Sequence, residues 1–191
     1  MTRETITHPC GKFALILLIL FAGTVLALRP AIAGSLEEYP DISPTPPIHL
    51  EDLSGKTHSL QEYQGKVVLV NFWASWCPPC LLEMPGMQRL REQMAGKAFA
   101  ILAVNAGESR ATAWKFLNLV KADFTVLLDS EKTVAEEWQV QIYPTSYLID
   151  TTGRIRYVAF GALDWDAPDV HRVIEEMVSG TLIKSDFTDS Q

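Results

Sequence analysis

Two cysteines lie three positions apart in the segment Trp76-Cys77-Pro78-Pro79-Cys80, directly after a run of apolar residues. The apolar run predicts a buried strand that ends here. A helix is expected to begin next, because proline suits the first helical turn, where an N–H group would stay unpaired. Cysteines at i and i+3 in such a turn can close a small disulfide. Free N–H groups and the helix dipole favour an anion there, which lowers the pKa of a thiol and supplies a thiolate near neutral pH.

The spacing therefore predicts thiol–disulfide exchange. Cys77 at the helix start is the expected nucleophile. Cys80, one turn further along, is placed to attack a mixed disulfide formed by Cys77. Pro79 further stiffens the loop between them. A purely structural disulfide is the alternative, although closing so short a loop removes little entropy from the unfolded chain.

Metal, haem and nucleotide cofactors fit the remaining residues poorly. A zinc site would need two further ligands, and His49, His58 and His171 lack a ligand-like spacing, so no metal is predicted. Covalent haem attachment requires a histidine directly after the second cysteine, where Leu81 stands. No GxGxxG segment follows a strand, so neither a flavin nor a nicotinamide cofactor is predicted.

Strand and helix patterns alternate along the chain around this motif. A hairpin is predicted for residues 48–59, with its turn at Asp52-Leu53-Ser54-Gly55. Further strands are predicted at 66–73, 98–105, 124–128, 146–149 and 155–160, and helices at 78–95, 109–120, 133–138 and 170–178. This order predicts an α/β domain in which a mixed central sheet is flanked by helices.

The N-terminus has the pattern of an export signal. Arg3 and Lys12 precede an uncharged apolar run at 13–28, and Ala31-Ile32-Ala33 offers a small-residue cleavage site. An uncleaved membrane anchor is the alternative, although a spanning helix needs about 20 apolar residues. Both interpretations place the rest of the chain outside the cytoplasm, in the bacterial periplasm or anchored to the inner membrane, because positive charges stay inside. Cys10 precedes the run and is assigned no chemistry.

Length and charge limit the remaining possibilities. The chain has 191 residues, with 16 Lys and Arg against 23 Asp and Glu, a net charge of −7. The length predicts one ordinary domain with additional segments, and the acidic balance argues against nucleic acid as a partner. The predicted organisation is a signal peptide or membrane anchor at 1–33, an acidic, proline-rich extended linker at 34–47, a folded domain at 48–180 and a polar tail at 181–191. Membrane contact is expected only through the first segment.

The sequence resembles the thioredoxin superfamily, and within it the extracytoplasmic TlpA/ResA-like thiol–disulfide oxidoreductases. NFWASWCPPCLLEMP, YPTSYLID and Gly153-Arg154-Ile155 carry the resemblance, which extends over roughly 48–178. It implies a thioredoxin-like fold with an N-terminal β-hairpin extension. It also implies exchange with disulfide-containing protein substrates in the reducing direction. A thiol-protein donor would supply the electrons, with a membrane reductase as their source.

The resemblance also implies roles for individual residues. In that family the first cysteine is the exposed nucleophile and the second resolves the mixed disulfide, which assigns these roles to Cys77 and Cys80. A cis-proline faces the pair, and Pro144 matches it. Glu83 lies one turn after Cys80 on the same helix face, and the resemblance implies that it tunes the thiols and moves protons. A solvated glutamate favoured by the helix dipole is the alternative. The implied substrate-binding residues are Trp76, Pro78, Pro79, Tyr143, Pro144 and Thr145.

Two positions depart from the family pattern. Asn71 stands where thioredoxin carries a buried acid in the preceding strand. Asn71 cannot take a proton, which leaves Glu83 as the main acidic candidate. Ile142 stands where glycine is frequent, two residues before the cis-proline, and we expect it to narrow the approach to the site and to alter the choice of partner.

Three other functions of the same superfamily make different demands on these residues. Thiol reductases of cytochrome c maturation tend to carry glutamate after the cis-proline, where Thr145 stands, yet this assignment stays open. A peroxiredoxin would have proline and threonine where Val70 and Ala74 stand. A redox-inactive thioredoxin-fold interaction module also stays open, and it predicts a buried and inert Cys77.

Overall fold

The computed structural model describes residues 34–40 and 43–181, and the elements named below all lie in this part of the chain. The strands are β1 (Glu37–Glu38), β2 (His49–Glu51), β3 (Thr57–Ser59), β4 (Val67–Trp73), β5 (Phe99–Ala106), β6 (Thr125–Asp129), β7 (Thr145–Ile149) and β8 (Ile155–Phe160). The helices are α1 (Pro78–Gln93), α2 (Arg110–Val120), α3 (Thr133–Glu137) and α4 (Pro168–Ser179), with a 3₁₀ turn at Leu60–Tyr63.

A mixed sheet forms the centre, with the strand order β1-β8-β7-β4-β5-β6. β4 runs parallel to β5 and antiparallel to β7, and β5 runs parallel to β6. Every residue of β4 is buried, as expected for an apolar strand that is covered on both faces. The predicted mixed sheet is therefore confirmed.

Apolar side chains pack on both faces of this sheet. One cluster joins α1, α2 and α4 to the sheet and includes Met87 of α1 and Ile174 of α4. The cluster on the other face includes two residues of α3, and there Trp138 packs against Phe72 of β4. The sheet thus fixes α1 along its length, and with it the position of the helix N-terminus.

The register between β4 and β7 determines which loops meet at one end of the sheet. Phe72, next to the last residue of β4, pairs with Thr145, the first residue of β7. The loop that follows β4 and the loop that precedes β7 therefore lie side by side. The first loop leads to the two cysteines and the second contains Pro144, so the sheet brings together segments that are distant in the sequence.

The predictions for the N-terminal part of the domain have different outcomes. The hairpin is confirmed, since β2 and β3 pair antiparallel, with His49 opposite Ser59. The stretch 34–47, predicted as an extended linker, contains β1, which pairs antiparallel with β8 at the edge of the sheet. An acidic sequence is tolerated there because the side chains of this edge strand are exposed.

The predicted signal or anchor at 1–33 lies outside the described residues, and so does the tail from residue 182 onward. Within 34–40 and 43–181, no helix combines the length and the apolar character needed to cross a membrane. The predicted domain boundaries, at 47/48 and 180/181, stay predictions.

Candidate active site

The two cysteines are joined by a disulfide at the N-terminus of α1. Cys77 is the N-cap residue, and Pro78 occupies the start of the helix. The sulfur of Cys77 accepts a hydrogen bond from the N–H group of Cys80 at 3.3 Å. The predicted location at a strand–helix junction is therefore confirmed. A backbone donor points at the sulfur that would carry negative charge after reduction.

Both cysteines are buried, which corrects the expectation of an exposed Cys77. Cys77 is 3% exposed and Cys80 is fully buried, because both belong to the apolar cluster that packs α1 on the sheet. Exchange requires a second sulfur to approach the disulfide, so a partner must reach Cys77 past the surrounding surface residues. The burial of Cys77 agrees with the inactive-module alternative. The helix-terminal donor and the buried acid described below favour exchange.

Apolar side chains flank the disulfide at the surface. Trp76 is 62% exposed, and its ring meets that of Tyr143 edge-on, with 5.7 Å between the ring centroids. Pro78 and Ile142 are exposed, and Pro79 is half-buried. The contact between Trp76 and Tyr143 joins the loop before α1 to the loop before β7. The structure therefore brings together two of the predicted substrate-binding residues.

The peptide bond between Tyr143 and Pro144 is cis, as the resemblance implied. Pro144 is buried, and its carbonyl group accepts a hydrogen bond from the N–H group of Gly161 at 2.8 Å. The hydroxyl group of Thr145 donates to the carbonyl oxygen of Ile142 at 2.9 Å. Thr145 is fully buried, so its side chain holds this loop instead of facing a substrate.

Glu83 is buried, which makes the solvated-glutamate alternative wrong. Its Oε1 accepts a hydrogen bond from Nδ2 of Asn71 at 2.7 Å. Its Oε2 accepts from the N–H group of Leu163 at 3.1 Å and from Nε1 of Trp165 at 3.3 Å. Burial raises the pKa of the Glu83 carboxyl group to about 7, and the three donors oppose this rise because they favour the ionised form. A group of this pKa, one helical turn from Cys80, can exchange a proton near neutral pH.

Sequence reasoning missed the residues that hold Glu83. Asn71 was predicted only as the replacement of an acid, yet its amide donates both to Glu83 and to the hydroxyl of Ser146, at 2.9 Å. The alternation along β4 could have shown which way Asn71 points, because Leu69 and Trp73 on the same face pack in the cluster that contains α1. The donors from the loop before α4 had no such signal, since they lie 80 and 82 residues away from the acid.

A second carboxylate, that of Glu108, holds the loop that leads to Cys77. It accepts hydrogen bonds from the N–H group of Ser75 at 2.7 Å and from the hydroxyl of Ser75 at 2.5 Å. The amide of Asn105, near the end of β5, donates to the same carboxylate at 2.7 Å. Ser75 precedes Cys77 by two residues, so these contacts fix the entry to α1. No motif in the sequence pointed to them.

Two of the histidines lie outside this site. His58 in β3 is 3.0 Å from both the Tyr63 hydroxyl and the Asp52 carboxylate, and His171 is half-buried on α4. Among the described residues, no group of three or more histidine, cysteine, aspartate or glutamate side chains is arranged to hold a metal ion.

Known proteins are similar to this chain in sequence and in fold. The AhpC/TSA family profile matches residues 43–158. The thiol-disulfide oxidoreductase ResA of Bacillus subtilis (strain 168) is 32% identical over 148 residues, which are 78% of this chain and 83% of the relative. The thioredoxin-like protein YneN of the same strain is 39% identical over 121 residues, 62% of this chain and 70% of the relative. A solved thioredoxin domain of a thiol-disulfide oxidoreductase from Bacteroides vulgatus superposes with a TM-score of 0.62 and 27% identity, over 71% of this chain and 96% of that chain. The predicted thioredoxin-like fold is confirmed.

Proposed function

Because the chain belongs to the AhpC/TSA family and is a thioredoxin-like thiol–disulfide oxidoreductase, we propose that it reduces disulfides of protein substrates outside the cytoplasm. One observation carries this proposal. The Cys77–Cys80 disulfide lies at the N-terminus of α1, and the Cys77 sulfur accepts a hydrogen bond from the backbone N–H group of Cys80. The buried Glu83 lies one turn further along the same helix.

The proposed reaction starts from the reduced protein. The Cys77 thiolate attacks one sulfur of the partner's disulfide, an S–S bond forms between the two proteins, and the partner's other sulfur leaves as a thiolate. The Cys80 thiolate then attacks the Cys77 sulfur, which closes the Cys77–Cys80 disulfide and releases the second partner thiolate. Two electrons pass from the dithiol to the partner, whose two thiolates take up the protons that the cysteines lost.

Glu83 is placed to move the proton of the resolving thiol. Cys80 and Glu83 are both buried and lie one helical turn apart on the same face of α1. In the proposed step the Glu83 carboxylate takes the proton of the Cys80 thiol as Cys80 attacks. Burial raises the pKa of Glu83 to about 7, and a base with a pKa near the working pH transfers protons most efficiently.

The surface around the disulfide suits a polypeptide substrate. Trp76 and Tyr143 form an aromatic contact beside the disulfide, and the exposed Pro78 and Ile142 extend the apolar area. A protein segment that lies across these residues would bury them, and buried aromatic residues contribute much of the affinity of protein interfaces. Ile142, where related proteins often have glycine, is expected to restrict which segments can approach.

The reducing direction, the thiol-protein electron donor and a membrane reductase as its source come from the resemblance to TlpA/ResA-like proteins. The location outside the cytoplasm comes from the N-terminal signal pattern. A reduction potential near that of thioredoxin, about −270 mV, would support the reducing direction. A potential near that of a strong oxidant, about −120 mV, would contradict it.

Trapping of mixed disulfides tests the proposal. Cys80→Ser removes the resolving thiol, so that mixed disulfides between Cys77 and its substrates should accumulate and can be identified by mass spectrometry. Cys77→Ser is the matched control, because it keeps the other buried cysteine but lacks the nucleophile. Both variants carry Cys10→Ser, which leaves no other cysteine in the chain. An empty trap, with Cys77 shown to be reduced and reactive, contradicts a protein-disulfide reductase.

Alkylation of the reduced protein separates the enzyme from the inactive module. A Cys77 thiolate stabilised by the helix N-terminus reacts with an alkylating agent well below pH 8, whereas an ordinary cysteine has a pKa of about 8.5. A Cys77 that reacts no faster at neutral pH than an ordinary cysteine supports the module.

A further inference from the structure

The segment between β8 and α4 contacts two parts of the site through its N–H groups. The N–H group of Gly161 donates to the carbonyl of Pro144 at 2.8 Å. The N–H group of Leu163 donates to Oε2 of Glu83 at 3.1 Å. Residues 160–163, which are the last residue of β8 and the three that follow it, therefore connect the cis-proline loop to the buried acid. We call these four residues the β8–α4 connector.

Carbonyl groups of the same connector surround Gly34 very closely. The N–H group of Gly34 donates to the carbonyl of Ala162 at 3.0 Å. A Cβ atom on Gly34 would lie 2.9 Å from the carbonyl oxygen of Ala162 and 3.1 Å from those of Gly161 and Phe160. These oxygens belong to the backbone and cannot rotate away as a side chain could. Glycine is therefore required here by close approach of the two backbones.

Residues 34–39, which we call the N-terminal strap, continue along β8 from this contact. Glu37 and Glu38 pair with Val158 and Tyr157. The N–H group of Tyr39 donates to the carbonyl of Arg156 at 2.8 Å. The strap is thus held on the sheet at both of its ends, and Gly34 is the end that touches the connector.

We propose that Gly34 is a positioning residue of the active site, which acts through the β8–α4 connector on Leu163 and Glu83. The strap supports the connector from one side, and the connector presents its N–H groups to the site from the other side. Displacing Gly34 removes this support and lets the Leu163 N–H group move away from the Glu83 carboxylate. The inference deepens the proposed function, since it concerns the acid that serves Cys80.

Loss of the Leu163 hydrogen bond is expected to raise the pKa of Glu83. The Leu163 N–H group is the strongest of the three donors that lower the pKa of Glu83 against the effect of burial. When this donor withdraws, the ionised form loses stabilisation and the pKa moves up. The other elements around Glu83 present Asn71 and Ser146, which do not titrate in this range. In the oxidised protein Cys77 and Cys80 are joined in the disulfide and do not titrate.

Gly34→Ala in the full-length chain tests this inference, with Ser35→Ala as the matched control. Ser35 is the next residue of the strap, and its hydroxyl contacts Glu37 at the exposed surface. The midpoint of Glu83 ionisation is measured by carbon-13 NMR of its carboxyl group in the oxidised protein. We expect Gly34→Ala to raise the midpoint by about 0.5 pH unit, about a threefold change in the ionisation constant, and Ser35→Ala to leave it in place.

Hydrogen exchange of the Leu163 amide gives a second measurement, which can be made on both variants in the same way. We expect faster exchange of this amide in Gly34→Ala than in Ser35→Ala. A lower unfolding temperature of Gly34→Ala, without any change in the Glu83 midpoint or in Leu163 exchange, would mean that the strap only stabilises the edge of the sheet. This result would overturn the inference. Both readouts are independent of substrate reduction, so an inactive protein with a shifted midpoint would refute the proposed function alone.

Discussion

The side-chain amide of Asn71 donates a 2.7 Å hydrogen bond to the carboxylate of Glu83, which joins the strand before the cysteine motif to the helix after it. Both residues are buried. At the position where thioredoxin has an acid, this chain has an amide that cannot exchange a proton but can hold a carboxylate. In this chain the buried acid is on the helix, and the strand residue Asn71 holds it by a hydrogen bond.

Replacing Asn71 by leucine should raise the pKa of Glu83 above its value of about 7. The Asn71 amide lowers this pKa against the effect of burial, and leucine fills similar space without a donor. The titration of the Glu83 carboxyl group by NMR measures the change. Asn105→Leu is the matched control, because Asn105 is equally buried and donates to Glu108 instead. Each variant should lose about 1–3 kcal/mol of stability, since each leaves a buried partner unsatisfied. An unchanged Glu83 titration in Asn71→Leu would contradict the assignment.

The stability of the oxidised protein should fall as the pH rises from about 4.5 to about 7. Burial raises the pKa of Glu83 from 4.5 to about 7, so between these values the folded state binds more protons than the unfolded state. Stability then decreases with pH, by roughly 3 kcal/mol from this group, and the effect is complete above pH 7. Urea unfolding at several pH values measures the slope. Glu83→Gln should remove it, whereas Glu92→Gln, at an exposed position of the same helix, should keep it.

The carboxylate of Glu108 should stabilise the loop before Cys77. It accepts two hydrogen bonds from Ser75 and one from Asn105, and the neutral amide of Glu108→Gln cannot accept all of them. We expect a loss of about 1–3 kcal/mol in urea unfolding and faster hydrogen exchange of the Ser75 amide. Glu131→Gln, at an exposed position, is the control. Unchanged protection of the Ser75 amide would show that other contacts hold the loop.

Local patterns in the sequence were sufficient for the order of strands and helices and for the location of the disulfide, whereas the thioredoxin-like fold was implied by the resemblance. The apolar run of β4 and the proline at the start of α1 are local signals, and the structure has both elements where they were predicted. The position of the cis-proline loop beside the disulfide could be predicted only from the resemblance, because spacing alone does not indicate that β7 starts next to the end of β4. The pairing of Phe72 with Thr145 creates this proximity.

The burial and the partners of the site residues could not be predicted. For Glu83 a solvated position stayed open as the alternative, and two of the donors that hold its buried carboxylate, Leu163 and Trp165, lie about 80 residues further along the chain. The resemblance implied an exposed Cys77, but in the disulfide form Cys77 belongs to the apolar cluster that packs α1 on the sheet. The pairing of β1 with β8 and the close backbone contact at Gly34 leave no pattern of side chains in the sequence.

Trp76 should contribute to the recognition of protein substrates. It is 62% exposed and contacts Tyr143 across the two loops beside the disulfide, whereas Trp114 on α2 is 60% exposed and belongs to neither loop. Truncating an aromatic anchor of an interface typically weakens binding by about 2 kcal/mol or more, which is about 30-fold in affinity. We therefore expect Trp76→Ala to raise KM for a protein disulfide about 30-fold while the reduction rate of a small aromatic disulfide changes little. Trp114→Ala should leave both unchanged, and equal effects of the two variants would place the substrate elsewhere on the surface.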